Sequence, residues 1–262
     1  MIVRHQTKDK GDLGVAKTIP HLLEYGIRSC LPLSEHLPFD LIAVMPDFTT
    51  LRRVQVKYRK IARRGCIELN FRSNYYDSNG IYSKPVNMDE IDCYAIYSPE
   101  TSEIYYLNIN EIPQDMVAVT LRIEPTKNGQ EKRVWWARDF VDPRRIASSQ
   151  MIAQPYCRTV SEQDELAIAK ASAYLMEQGI QPFIANSQYL PFDLIAVYPD
   201  MKTLKRIRIG WEYVYTTPYT DQYAFYDSTH KQCFVFGAAD VPQGIEQITL
   251  ADMNTKTCKF VG

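Results

Sequence analysis

The sequence predicts an α/β protein made of two tandem copies of one unit, each a helix followed by a mixed sheet. Three observations predict it. The first is repetition. The stretch AKTIPHLLEYGI at 16–27 returns as AKASAYLMEQGI at 169–180, and LPFDLIAVMPDFTTLRRVQVKY at 37–58 returns without a gap as LPFDLIAVYPDMKTLKRIRIGW at 190–211. Both pairs lie 153 residues apart, and about half of the positions in the longer pair are identical. A later pair, DCYAIYSPETSEIYYLNINEIPQ at 92–114 and DQYAFYDSTHKQCFVFGAADVPQ at 221–243, lies 129 apart, so the second copy is shorter by 24 residues (153 minus 129). The second observation is that each copy opens on a helical apolar pattern that stops at glycine. The third is that short strand-like runs follow that pattern in the same order in both copies.

Each element has its own reason. Leu13, Ala16, Ile19, Leu22 and Leu23 recur at helical spacing up to Gly26, and Leu166, Ala169, Ala173 and Leu175 do so up to Gly179. A short strand is expected around 28–33. PFDLIAV is almost continuously apolar apart from Asp40, which marks a strand buried on both faces. RRVQVKY alternates, so Gln55 and Lys57 point to one face while Val54, Val56 and Tyr58 point to the other. Further strands are expected near 65–71, 91–98 and 103–108, and RSNYYDSNGIYSKP at 72–85 reads as a loop. The expected domains are 1–145, a linker at 146–160, and 161–262.

Composition narrows the function classes. The 262 residues are 45% hydrophobic and 23% charged, which excludes a disordered or fibrous chain. Thirty basic against 31 acidic residues give a net charge of −1, which argues against nonspecific coating of nucleic acid. The balance is uneven along the chain: 1–150 carry 21 basic and 19 acidic residues (+2), and 151–262 carry 9 and 12 (−3). No apolar run approaches the roughly 20 residues of a membrane helix. The start MIVRHQTKDKGD holds no secretory signal, so a soluble, cytoplasmic protein is expected.

Six scattered cysteines (30, 66, 93, 157, 233 and 258) lack zinc-site spacing and read as reduced thiols in apolar surroundings. The four histidines (5, 21, 36 and 230) form no metal-spaced pair, and His21 belongs to the rim of the first helix. A metal in this chain would be a hard cation on oxygen ligands.

Asp40 carries the first chemical signal, because a carboxylate inside a buried strand needs a partner or a cation. A carboxylate that merely caps a backbone group would satisfy the same position. If a turn near 45–50 folds the next strand back, Gln55 and Lys57 fall beside Asp40. Carboxylate and amide oxygens can hold Mg²⁺, and the ammonium can stabilise charge on a phosphate.

Here the sequence resembles the PD-(D/E)XK nuclease superfamily, and within it the cyanobacterial group I intron-associated homing endonucleases, which carry Gln in a QxK variant of the motif. The resemblance rests on Pro38-Phe39-Asp40, Gln55-Val56-Lys57, and the stretches TKDKGDLGVAK at 7–17, RVQVKYR at 53–59, NFRSNYYDSNGIYSKPV at 70–86 and LRIEPTKNGQ at 121–130. It implies a restriction-endonuclease-like mixed-sheet core flanked by helices in each copy. It also implies a Mg²⁺-dependent double-strand DNA endonuclease, with Asp40 and Gln55 as metal ligands and Lys57 as the transition-state cation. An acidic residue of the opening helix completes such sites; Asp12 is the match, with Asp9 as fallback. Single-copy relatives include tetramers that use part of their active sites, which implies a homodimer of this chain holding four nuclease-fold copies.

The second copy departs from the motif. Glu165 and Asp193 match Asp12 and Asp40, but Arg208 replaces Gln55 and Gly210 replaces Lys57, so this copy is expected to be a degenerate site closed by an Asp193–Arg208 pair. DNA contact is expected from Lys8, Lys10, Arg52, Arg53, Arg59, Lys60, Arg63, Arg64, Arg72 and Lys84, clustered basic groups of the kind phosphates bind. Trp135 and Trp136 read as packing residues. Two alternatives stand beside the endonuclease: a noncatalytic DNA-binding or assembly protein on the same fold, and a junction-resolving or repair nuclease.

Overall fold

The computed structural model describes residues 6–34, 37–62, 64–77, 80–125, 134–146, 161–211, 213–230 and 232–249. His5, His36, Arg63, Cys157, Cys258 and the expected linker from 147 onward lie outside the described residues. In chain order the elements are helix α1 (Gln6–Glu24) and strands β1 (Arg28–Pro32), β2 (Leu41–Val44), β3 (Leu51–Tyr58), β4 (Cys66–Asn70), β5 (Arg72–Asp77), β6 (Gly80–Pro85), β7 (Cys93–Ser98), β8 (Glu103–Asn108), β9 (Ala118–Arg122) and β10 (Trp135–Trp136). Helix α2 (Glu162–Glu177) follows, then β11 (Gln181–Ala185), β12 (Leu194–Val197), β13 (Leu204–Gly210), β14 (Tyr213–Tyr215), β15 (Gln222–Asp227), β16 (Gln232–Gly237) and β17 (Gln247–Thr249).

The chain divides into two compact units: Met1–Ile27, Pro38–Ala43 and Arg52–Gln150 form one, and Arg28–Leu37, Val44–Leu51 and Met151–Gly262 the other. The sequence reading placed 28–37 and 44–51 in the first domain. They group with the second because β1 pairs antiparallel with β11, Cys30 opposite Ala185, and because Arg206 Nη1 donates to the Phe48 carbonyl.

In the first unit, β2, β3, β7 and β8 lie side by side in that order. β3 and β7 run parallel with Gln55 opposite Tyr94 and Lys57 opposite Ile96, and β8 returns antiparallel with Tyr105 opposite Ile96. A parallel neighbour needs a long crossover, which here contains β4, β5 and β6. β4, β9 and β10 form a small separate sheet, β9 antiparallel to β4 and parallel to β10. β5 and β6 pair from Arg72–Pro85 to Asp77–Gly80, so the expected loop at 72–85 is a hairpin. Its β-favouring tyrosines (75, 76 and 82) and the run of Asp, Ser, Asn and Gly at 77–80 are strand and turn signals that outweigh the polar composition.

Helix α1 packs through small residues. Its buried stripe is Gly14, Thr18 and Leu22, whereas Leu13 and Leu23 are 41% and 55% exposed. A Cβ on Gly14 would stand 3.1 Å from Val56 Cγ1, so glycine lets the helix backbone approach β3. Thr18 stays satisfied by donating its hydroxyl to the Gly14 carbonyl at 2.9 Å. The helix ends where expected: Gly26 takes φ 73° and the Ile27 amide turns back to the Leu22 carbonyl.

The second unit orders its strands β16, β15, β13, β12, β11 and β1. β12 and β13 are antiparallel, β13 and β15 parallel, and β15 and β16 antiparallel. Ala167, Ala171 and Leu175 of α2 pack on Leu194, Ala196, Ile207 and Ile209. Ser161 and Asp164 cap that helix reciprocally. β14 and β17 pair apart from the main sheet. Among the described residues, no helix is long and apolar enough to cross a membrane.

Two glycines of α1 separate packing from propensity. Nothing stands within 4 Å of a Cβ at Gly11, so Gly11→Ala should stabilise the protein by about 0.5–1 kcal/mol in urea denaturation. Gly14→Leu should instead destabilise it by about 1–3 kcal/mol through overpacking against Val56.

Candidate active site

Asp40 stands at the entrance to β2, pinned to β3 from two directions. Its amide donates to the Val54 carbonyl at 2.9 Å, and its Oδ2 accepts the Val56 amide at 2.6 Å. That second bond uses one oxygen of the carboxylate and fixes its plane. Gln55 and Lys57 project from β3 on the face opposite Val56, whose side chain meets Gly14 of α1. The expected face assignment of β3 therefore matches the packing. Gln55 Oε1 is buried without a hydrogen-bond partner, a costly state for an amide oxygen.

The charges around this point are coupled. Burial pushes the Asp40 carboxyl above its ordinary range; the Val56 amide and Lys57 pull it back, and Asp12 adds to the rise. Asp12, exposed on α1, thus lies within electrostatic reach of Asp40. Burial pushes the Lys57 ammonium below the ordinary lysine value, opposed by Asp40 and assisted by Arg59. The outcome favours less charge on both partners than each would carry in water.

These donors fit a hard divalent cation. Asp40 has a second oxygen, Gln55 an unpartnered carbonyl oxygen, and Asp12 a carboxylate that contributes to the same field. Among the described residues no three His, Cys, Asp or Glu side chains cluster as a ligand set.

Arg59 continues the row of Gln55 and Lys57 at strand spacing. It is half-buried, donates Nη1 to the Tyr58 carbonyl at 3.0 Å, and lowers the Lys57 pKa, so its place is beside the site. The period-two pattern of β3 already pointed to that position. Lys8, Lys10, Lys60, Arg64, Arg72 and Lys84 are exposed. Arg72 donates Nε to the Ser83 hydroxyl, and the Lys84 ammonium lies 5.5 Å from the centre of the Tyr82 ring, both on the β5–β6 hairpin.

Two of the expected DNA-contacting arginines are occupied by the fold. Arg53 forms a 2.8 Å ion pair with Asp92, which also accepts the Arg53 backbone amide and Nε. Arg52 donates Nε to the Ile146 carbonyl at 2.8 Å. Their sequence position in a basic run suggested phosphate binding; in the fold both make intramolecular hydrogen bonds, and Arg53 an ion pair.

In the second unit Asp193 is held by backbone bonds like those of Asp40. Asp193 donates its amide to Ile207 and accepts the Ile209 amide on Oδ2 at 2.7 Å. Arg208 lies beside it, Nε 3.8 Å from Oδ2, with both side chains about 95% buried (4% and 5% exposed). Glu165 is exposed on α2. At Gly210, an added Cβ would overlap the carbonyl oxygen of Tyr213, so no side chain fits where Lys57 stands in the first unit.

Comparison with known proteins gives three findings. A model of the PD-(D/E)XK endonuclease family matches residues 5–143, just over half of the chain. Among solved structures, the bacterial homing endonuclease I-Ssp6803I is similar at 22% identity, over 51% of this chain and 87% of that one, with a TM-score of 0.43. No curated protein matches the chain.

The coupling at Asp40 sets a pH dependence. A carboxyl whose folded pKa is raised contributes stability that is full below its unfolded pKa, about 4, and is lost as pH rises through the folded value. Ionised Asp40 therefore costs stability at neutral pH in the metal-free protein. Asp40→Asn keeps an oxygen for the Val56 amide and removes the charge. In EDTA, urea denaturation should find this variant gaining on the wild type from pH 4 to pH 7; a gap that stays constant would remove the buried charge as its cause.

Proposed function

This chain belongs to the PD-(D/E)XK endonuclease family, whose members hydrolyse phosphodiesters and typically use divalent metals, and from that premise we propose a Mg²⁺-dependent double-strand DNA endonuclease of the intron-homing type. The observation that carries the reading is the pinned Asp40 beside the orphaned Gln55 oxygen, with Lys57 on the same face of β3 as Gln55. Asp40, Gln55 and Asp12 would hold the cation. When bound, it supplies Lewis-acid polarisation of the phosphate and lowers the pKa of a water.

The chain's own groups do the rest. Asp40 keeps its orientation through the Val56 amide, so its free oxygen stays directed while the phosphate is positioned. Lys57 donates hydrogen bonds toward the non-bridging phosphate oxygens, where negative charge grows as water attacks phosphorus and the leaving oxygen departs. Arg59 places a second, permanent positive charge next to Lys57. Exposed Lys8, Lys10, Lys60, Arg64, Arg72 and Lys84 face solvent as phosphate contacts that hold the duplex.

The chain is read as a tandem duplication with one working site. Support comes from the collinear sequence repeats, the same parallel-then-antiparallel pairing in β3–β7–β8 and β13–β15–β16, and the same aspartate-to-amide bond at Asp40 and Asp193. The Arg208 guanidinium takes the cation's place beside Asp193, and Gly210 leaves no catalytic ammonium. One working site per chain cannot cut two strands in a single encounter, so the functional particle is a homodimer.

Asp40→Ala and Lys57→Ala should each lower Mg²⁺-dependent cleavage of a duplex library by at least about 10²-fold, while Asp193→Ala stays within a few-fold of wild type. Equal losses from Asp40→Ala and Asp193→Ala would reject the single-site reading. Preferential cutting of branched DNA over duplex would move the assignment to a junction-resolving nuclease. A monomer in sedimentation on its target that still makes concerted double-strand cuts would reject the dimer.

A further inference from the structure

A cleft of about 440 Å³ opens in the first unit between β8 and the small β4–β9–β10 sheet. Thr101, Glu103, Tyr105, Arg122, Trp136 and Arg138 line it. Two cations, one carboxylate and an aromatic platform converge there, and the reaction described above uses none of them. The Arg138 guanidinium lies 5.0 Å from the centre of the Trp136 ring, so a flat cation already caps a flat π-system. Arg138 is exposed and Trp136 half-buried, which leaves the outer side of that stack open to solvent. Trp135, by contrast, is spent on packing: its ring stacks on Phe140.

The polar groups are ordered. The Tyr105 hydroxyl donates to Thr101 Oγ1 at 3.0 Å, and Thr101 Oγ1 also accepts the Glu103 amide at 3.3 Å, which fixes the β8 side of the cleft. Arg122 donates Nη1 to the Arg64 carbonyl at 3.4 Å, which tethers one arm of its guanidinium. Strand register relates the cleft to the chemistry. Lys57 is opposite Ile96 and Ile96 opposite Tyr105, so Lys57 and Tyr105 share one face of the sheet two strands apart, about 10 Å.

We propose that this cleft receives one unstacked nucleotide of the DNA strand: the base stacks on the Arg138–Trp136 pair, Arg122 takes its phosphate, and Glu103 accepts hydrogen bonds from its base edge. A volume of about 440 Å³ is room enough for one nucleotide. Stacking on guanidinium and aromatic planes is how single-stranded bases are held. A carboxylate only accepts, so the pocket favours cytosine, whose amino group projects from the edge as a donor, over thymine, whose one edge N–H stands between two carbonyl oxygens that repel the carboxylate. The assignment rests on the nuclease reading only in taking the ligand from DNA.

The test is binding in EDTA, without cleavage, by titration calorimetry of the full-length chain with single-stranded dC6, dT6, dCMP and inorganic phosphate. The expected order is dC6 tighter than dT6. Arg138→Ala should weaken dC6 by about tenfold or more, and Glu103→Gln should narrow the dC6-to-dT6 ratio with little loss for dT6. Both side chains are exposed, so neither change threatens folding. Equal affinity for dC6 and dT6, wild-type binding by both variants, or phosphate displacing dC6 as well as dCMP does would overturn the pocket. Binding of dCMP with exclusion of dC6 would overturn the strand as its source. Because cleavage is not read, a failure here leaves the nuclease assignment standing, and loss of cleavage leaves this result interpretable.

Discussion

The site depends on one hydrogen bond, from the Val56 amide to Asp40 Oδ2 at 2.6 Å. A carboxylate set into a strand whose four following residues are all buried is expensive to desolvate, and the upward push on the Asp40 pKa is the sign of that cost. The amide offsets part of it and, in doing so, decides where the other oxygen points. It also locks the register that puts Gln55 and Lys57 at the same level. Without this bond, a slip of one residue on β3 would turn Gln55 and Lys57 toward α1 and Val56 away from it. Gly14 adds the second constraint, since a small residue there lets α1 pack closely on Val56, and Asp12 of the same helix lies in the field of Asp40.

The two units show what happens when that bond is kept and its neighbours change. Asp193 is held by the Ile209 amide at 2.7 Å, nearly as Asp40 is held by Val56, and Arg206 grips Asp221 as Arg53 grips Asp92. These are the interactions of a frame. Arg208 then neutralises the buried aspartate from inside the protein, where a cation from solvent would neutralise Asp40. A chain segment of the second unit also fills the volume above Gly210, so its lost lysine is a matter of space as well as charge. The two units thus share the backbone bonds around the aspartate and differ in the side chains beside it.

Much of this was legible in the sequence. Repetition let each helix and strand be read twice, and alternation on β3 assigned Gln55 and Lys57 to one face. The misreadings have physical causes. Apolar periodicity chose Leu13 and Leu23 as core, but a helix that approaches a sheet closely buries glycine and threonine instead. Polar residues made 72–85 resemble a loop, although cross-strand tyrosines at 75 and 82 support a hairpin. A basic run cannot reveal which arginines meet acids distant in sequence, and Arg53 meets Asp92 across 39 residues. Strands β9, β10, β14 and β17 are too short or too weakly patterned to stand out.

In one unit a divalent cation would balance the buried aspartate; in the other an arginine lies beside it. Mn²⁺ titration of the purified chain, followed by the loss of free-ion electron paramagnetic resonance, counts the sites directly. The account requires one specific ion per chain, absent in Asp40→Ala and retained in Asp193→Ala. Two ions per chain, or one that survives Asp40→Ala, would contradict it.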